Sequence, residues 1–135
     1  MMNDFEELKH LKQQCVNQSE HIEQLRSTLD GLSGIRYDKE AVQSSMDGDP
    51  MLAKICRIED EEQKLTDLIV KYASHRIKVA QKINQMELSK RQHLLRMYYL
   101  DGNFIEVCAN DLEWSVEYTR KELRKAVQEY LQLSL

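Results

Sequence analysis

Leu8, Leu11, Cys15, Gln18, Ile22, Leu25, Leu29 and Leu32 step along the chain by three and four without a slip. A spacing that averages 3.5 holds one stripe of a helix against a partner helix for many turns. It therefore predicts a coiled-coil seam rather than an ordinary amphipathic surface helix. Gln18 is the polar residue in the seam, and a polar side chain there fixes register and partner number at some cost in stability. Two partners satisfy such a seam: a second copy of the chain, or a second helix of the same chain. In the first case Leu8, Leu11, Ile22, Leu25 and Leu29 are the oligomerisation residues.

The run Gly31-Leu32-Ser33-Gly34 predicts the end of this helix, and Ile35 to Gly48 reads as an irregular polar loop. Ser44, Ser45 and Asp49 are candidates to cap the next helix and close a hairpin. Asp49-Pro50 is a helix start, a capping carboxylate followed by a proline whose missing N–H costs nothing in the first turn. A second seam then runs through Met51, Ile55, Ile58, Glu62, Leu65, Ile69, Tyr72, Arg76, Val79, Ile83 and Met86, with Glu62 and Arg76 as polar intrusions. The expected lengths differ, about 27 residues against about 38, or near 57 Å for the longer at 1.5 Å per residue. That surplus predicts contacts beyond the first helix and favours a homodimer.

From Ser89 onward the pattern shortens. Ser89-Lys90-Arg91-Gln92 has capping-box spacing, Ser89 receiving an N–H while the Gln92 amide reaches back to the cap. Leu94, Leu95, Met97, Tyr98 and Leu100 give the next helix a broad apolar face, and Gly102 supplies the left-handed residue that stops it. A helix from about Phe104 to Glu113 offers Phe104, Val107, Cys108 and Leu112 to a core. Ala109 falls where two helices must approach closely. Ser115 caps a last helix that buries Val116, Thr119, Leu123, Val127 and Tyr130. Its other face carries Glu117, Tyr118, Arg120, Lys121, Arg124 and Lys125, side chains suited to phosphates and base edges. Trp114 reads as an anchor for the turn between these two helices.

The expected fold is all-α: a helical hairpin or coiled coil over residues 1–88, then a small helix-turn-helix domain over 89–135. A chain of 135 residues with 41% hydrophobic and 31% charged residues, one Pro and four Gly suits a solvated helical protein of this kind. No apolar run approaches the roughly 20 residues of a membrane span, and the first residues are acidic, so neither a span nor a signal peptide is expected. Cys15, Cys56 and Cys108 lie far apart on apolar-face positions, which fits a reducing cytoplasm rather than a disulfide framework. His10, His21, His75 and His93 have no Cys or carboxylate at metal-ligand spacing and read as solvated. No catalytic constellation, cofactor loop or metal site is expected. The net charge of −4 argues against a protein that coats nucleic acid indiscriminately, although Ser89 to Leu135 balances seven basic against seven acidic residues.

Two stretches resemble known proteins. Arg91-x-x-Leu94, Tyr98-Tyr99 and Val107-Cys108-Ala109-x-x-Leu112-x-Trp114-Ser115 resemble the fourth-region helix-turn-helix of bacterial sigma factors. The run Val42-Gln43-Ser44-Ser45-Met46-Asp47-Gly48-Asp49-Pro50-Met51 resembles the signature of small phage and prophage proteins of Gram-positive bacteria, which are similar to the ArpU and RinA type regulators of phage late genes. Glu113 departs from the sigma pattern where glycine is usual, and Thr119 where a β-branched apolar residue is usual. The resemblance implies a cytoplasmic regulator in a bacterial host that binds double-stranded DNA as a homodimer, with RNA polymerase as a further partner. Two other readings fit the same chain. One is a recogniser of DNA for packaging, like the small subunit of a phage terminase. The other is a protein-binding module that contacts RNA polymerase or a host defence protein and never touches DNA.

Overall fold

The computed structural model describes residues 2–39 and 50–133, and these are helical with no strand among them. The order is α1 (Asp4–Lys39), α2 (Pro50–Asn84), α3 (Lys90–Leu95) running on into a π-helical turn (Arg96–Leu100), α4 (Ile105–Leu112) and α5 (Val116–Leu131). No described helix is long and apolar enough to cross a membrane. The Ser44, Ser45 and Asp49 caps and nearly all of the signature over residues 42–51 lie outside the described residues, as does the Leu32 side chain.

Two boundaries differ from expectation. Helix α1 does not stop at Gly31 or Gly34 but continues to Lys39. Glycine inside a helix costs about 1 kcal/mol against alanine. That weakens a helix without ending it unless the residue turns left-handed. Helix α2 ends at Asn84, so the two long helices have 36 and 35 residues. The surplus length that favoured a dimer is not there.

The chain forms two units. In the first, Lys9–Tyr72, Ile22 and Leu25 of α1 bury against Ile58 of α2, with Leu29 and Leu65 partly covered beside them. The Gln18 amide donates to the Glu61 carbonyl and to its carboxylate, each at 2.9 Å, and Arg26 pairs with Glu62. The polar seam residue thus sets register within one chain. It also selects the face of α2. Of the expected second seam, Ile58 is buried and Met51, Leu65 and Tyr72 are half-buried, whereas Ile55 and Ile69 are exposed and Glu61 and Leu68 turn inward. Both stripes step by three and four, and the hydrogen bonds to Glu61 decide between them.

The second unit comprises residues 1–8 and 73–135, so it takes in more than the stretch from Ser89. Phe5, Val79, Ile83, Met86, Leu95, Ala126 and Tyr130 form one core cluster; Leu94, Met97, Cys108 and Leu112 form another. Leu123 packs against both. Phe5 stacks on Tyr99 at 4.2 Å between ring centroids and lies 4.5 Å from Tyr130, whose hydroxyl donates to Asp4 at 2.6 Å. The capping box is half made. Ser89 Oγ accepts from the Gln92 N–H at 3.4 Å, but the Gln92 side chain is buried and donates to the Ile83 and Met86 carbonyls at the end of α2. The Ile83 carbonyl also accepts from the Met86 N–H at 3.0 Å, and Gln92 adds a second donor where the helix runs out of partners. Arg76, an intrusion in the expected seam, does similar work by donating to the Leu100 carbonyl at 3.0 Å where the π-helical turn ends. Gly102 is left-handed, as the stop requires, with φ of 74°.

Candidate nucleic-acid interface

The candidate site is the outward face of α5, and α4 and the turn between them position it. Helix α4 buries Cys108, Ala109 and Leu112, and the small Ala109 side chain is 2% exposed. Phe104 and Val107, expected in this core, are 76% and 50% exposed. The helix is only two turns long, and its core-facing stripe is filled by the other three residues. After Leu112 the chain turns at Glu113, which adopts φ 61°, ψ 40°. The Trp114 N–H donates to the Ala109 carbonyl at 2.9 Å and the Glu113 N–H to the Asn110 carbonyl at 3.2 Å, the paired bonds of a Schellman ending. Glutamate therefore occupies the conformation that glycine takes most cheaply. Lys90 reaches the Leu112 carbonyl at 3.3 Å and lies 5.6 Å over the Trp114 ring. Trp114, packed against Leu94, Met97, Cys108 and Leu112, anchors the turn.

Ser115 then caps α5, its hydroxyl accepting from the Tyr118 N–H at 3.1 Å. Thr119 is fully buried, and its hydroxyl donates to the Ser115 carbonyl at 2.8 Å. A threonine fits the apolar position because its polar atom is satisfied locally. The buried stripe of α5 is Thr119, Glu122, Ala126 and Tyr130, while Val116, Leu123 and Val127 are only half-buried. The stripe is thus rotated from the expected one. Arg91 is the cause: its Nε lies 2.8 Å from Glu122 Oε1, and its guanidinium also pairs with Glu129. The hydrogen-bonded Arg91 holds the Glu122 carboxyl below the usual range against the opposing effect of burial. Neither Arg91–Glu122 nor Gln92–Ile83 has a spacing signal in the sequence; only the register of packed helices brings them together.

All six expected contact residues on α5 are exposed. Glu117, Tyr118, Arg120, Lys121 and Arg124 line one concavity of about 480 Å³ together with Ser115. Lys125 does not join them, because its ammonium turns to Glu122 at 3.6 Å. Arg120, Lys121 and Arg124 make no ion pair among the described residues, whereas Arg91 and Lys125 are committed. Tyr118 is held edge-on to Trp114, centroids 5.1 Å apart. The surface before it has the opposite sign. Residues 101–117 contain Asp101, Glu106, Asp111, Glu113 and Glu117 and no Lys or Arg, whereas residues 118–125 contain Arg120, Lys121, Arg124 and Lys125 with Glu122 as the lone acid.

The expected oligomerisation residues face inward. Leu8, Ile22 and Leu25 are buried within the chain, and Leu11 and Leu29 are half-buried. For Ile22 and Leu25 the partner is Ile58 on the second helix of the same chain. Cys56 is exposed rather than on a buried face. His75 is likewise not solvated. It is 9% exposed, its Nε2 lies 2.8 Å from the Asp4 carbonyl, and Glu7 is 3.9 Å away. Folding thus brings ligand-type atoms of Asp4, Glu7 and His75 within 4.8 Å of one another across a long sequence separation. A carbonyl can only accept, so Nε2 carries the proton and its lone pair is not offered to a metal in this arrangement. No protein-family model, curated protein or solved structure matches the chain.

Proposed function

We propose that this protein is a sequence-specific double-stranded DNA-binding regulator of transcription, acting on phage or prophage genes as its resemblance implies. The observation that supports this most directly is the concentration on the outward face of α5 of an oriented tyrosine and three cations that have no ion pair among the described residues. That helix succeeds α4 after a tight turn, the arrangement in which a second helix enters the major groove. Arg120 and Arg124 are assigned to phosphates. Lys121, Tyr118 and Glu117 are assigned to base edges, where Lys suits guanine O6 and N7, and Glu accepts from the cytosine amino group. Lys125 contributes less than its charge suggests, since it already neutralises Glu122. A pair of copies would set two such helices on half-sites about 34 Å apart. Because the α1 seam is filled within one chain, such pairing would draw on other surfaces, among them the exposed Leu52, Ile55, Ile69 and Val70 of α2.

Selection from random duplex DNA at physiological salt tests the reading. An enriched motif whose binding is lost when Arg120, Lys121 and Arg124 become Ala supports it. No detectable duplex binding at low salt would sink it.

A second reading, a module that binds protein through the same region, is favoured by one specific observation: the acidic stretch 101–117 leads directly into α5. A duplex repels that stretch, and a basic partner would not.

A further inference from the structure

Phe104 and Val107 pose a problem that neither the core nor a DNA-contacting α5 resolves. Val107 is exposed on α4, whose buried residues are Cys108, Ala109 and Leu112, and Phe104 is the exposed, extended residue that precedes the first turn of the same helix. An exposed phenylalanine beside an exposed valine leaves apolar surface in water, and such patches mark interaction sites more often than chance. Their surroundings specify the sign of the partner. Asp111 lies one turn after Val107. Glu106 lies in the first turn, Glu113 is the left-handed residue that ends the helix, and Asp101 precedes it. Asp101 and Asp111 both come near enough to Cys108 to raise its thiol pKa, after burial as the larger cause. The bases that reach these acids are Arg76, 4.0 Å from Asp101, and His93, 3.1 Å from Asp111. Glu106 and Glu113 make no ion pair among the described residues. The outer face of α4 is thus apolar in the middle and anionic at its edges, with no cation of its own.

We infer that this face of α4 docks a cationic protein segment that brings an apolar anchor to Phe104 and Val107 and basic side chains to Glu106 and its neighbours. The charge pattern selects this occupant. A nucleic-acid backbone would be repelled by the four carboxylates of Asp101, Glu106, Asp111 and Glu113, and an acidic or neutral helix would leave Glu106 and Glu113 uncompensated. The inference stands on α4 alone and does not depend on whether α5 binds DNA.

The test uses the full chain with two probes of defined chemistry: an amphipathic Leu/Lys helical peptide and a Leu/Glu peptide with the same apolar face. Each is titrated into isotopically labelled protein at physiological salt, and amide shifts are mapped. The expected result is that the Leu/Lys peptide shifts the amides of residues 104–113 in a saturable way, while the Leu/Glu peptide leaves them in place. Phe104→Ser should weaken that binding by about tenfold or more, as loss of an anchoring aromatic does. Val107→Ser and Glu106→Lys, which act on the apolar and charged parts separately, should each weaken it too. The inference is overturned if the Leu/Lys shifts scatter over every acidic surface, or if the three variants bind like the wild type. It is also overturned if Phe104→Ser lowers the melting temperature as a core residue would, or if duplex DNA moves the same amides. A concentration-dependent dimer abolished by Phe104→Ser would assign the face to a second copy and overturn it as well.

Discussion

Helices α4 and α5 bury their inner faces in two core clusters that Leu123 joins, and turn opposite chemistry to the solvent. On the inside, α4 presents Cys108, Ala109 and Leu112, and α5 presents Thr119, Ala126 and Tyr130 together with Glu122, whose carboxylate is held by Arg91; among the described residues no buried side-chain polar atom lacks a partner. Outside, α4 shows Phe104, Val107 and carboxylates, and α5 shows Tyr118, Arg120, Lys121 and Arg124. Packing therefore constrains only half of each helix. The outer halves, which contribute little to stability, diverge in charge within a few residues of each other. Surfaces that differ this sharply across one tight turn suit ligands of opposite charge, which is what the two proposals assign to them.

The largest disturbance of that contrast is at the shared interior. Ala109→Glu places an unpaired carboxylate at a position 2% exposed, a cost of several kcal/mol by about the scale of burying an uncompensated polar group. The second unit should lose its cooperative melting transition and a share of its helical signal in circular dichroism. Full retention of both would mean that α4 and α5 do not touch at Ala109.

Next comes the outer face of α5. If Arg120, Lys121 and Arg124 each neutralise a phosphate, changing all three to Ala should lower the slope of log affinity against log salt by about 2.7, at roughly 0.9 per contact. The matching experiment on α4, Glu106→Gln with Asp111→Asn, should leave that slope unchanged. Equal effects from the two sets would erase the distinction between the faces. Lys125→Ala should alter the slope least among the basic residues of α5, because its ammonium is engaged by Glu122.

Smaller is the tie between α3 and α5. Arg91→Ala strips the partner from Glu122, which is 5% exposed, and should cost about 1–3 kcal/mol, kept at the modest end by the 31% exposure of the arginine. The pH dependence comes from the depressed Glu122 pKa. A carboxylate held below its unfolded value of about 4.3 contributes fully above that value. The contribution is lost as pH falls through the lower folded value. Urea midpoints of the wild type should therefore drop as pH falls below about 4.3, and those of Glu122→Gln should start lower and drop less. Parallel curves would show that Glu122 is not the group responsible.

Much of this architecture was legible in the sequence because it rests on short-range chemistry. The stop at Gly102, the Ser89 and Ser115 caps, the start at Pro50 and the burial of Ala109 each depend on local spacing, and the structure places them as read. Most of what escaped depends on pairings that no local spacing announces, although the expected stop at Gly31 and Gly34 was a local reading that failed. Phe5 against Tyr99, Asp4 with Tyr130, Gln92 with Ile83 and Arg91 with Glu122 involve residues whose sequence surroundings look solvated or helical. Period alone also could not decide which of two overlapping stripes of α2 would face α1, since both step by three and four. At the candidate site the exposed set on α5 was readable from its charge, but the diversion of Lys125 to Glu122 was not. It required knowing that a glutamate would be buried in the middle of the apolar face.

The finest distinction lies at the turn itself. Glu113 holds φ 61°, a region that costs a residue with a Cβ about 1–2 kcal/mol and glycine nearly nothing. Glycine gains more freedom in the unfolded chain, which returns about 0.4–1 kcal/mol of the benefit. Glu113→Gly should therefore stabilise the protein by only about 0.5–1 kcal/mol and raise its melting temperature by a few degrees. The same change removes one carboxylate from the edge between the anionic and cationic faces, so low-salt duplex affinity should rise slightly as well. Glu113→Gln separates the two effects: it keeps the backbone cost and removes the charge. If conformation governs stability and charge governs binding, the Gln variant melts with the wild type and binds with the Gly variant. A Gln variant that melts with the Gly variant would place the penalty in carboxylate repulsion rather than in the left-handed backbone.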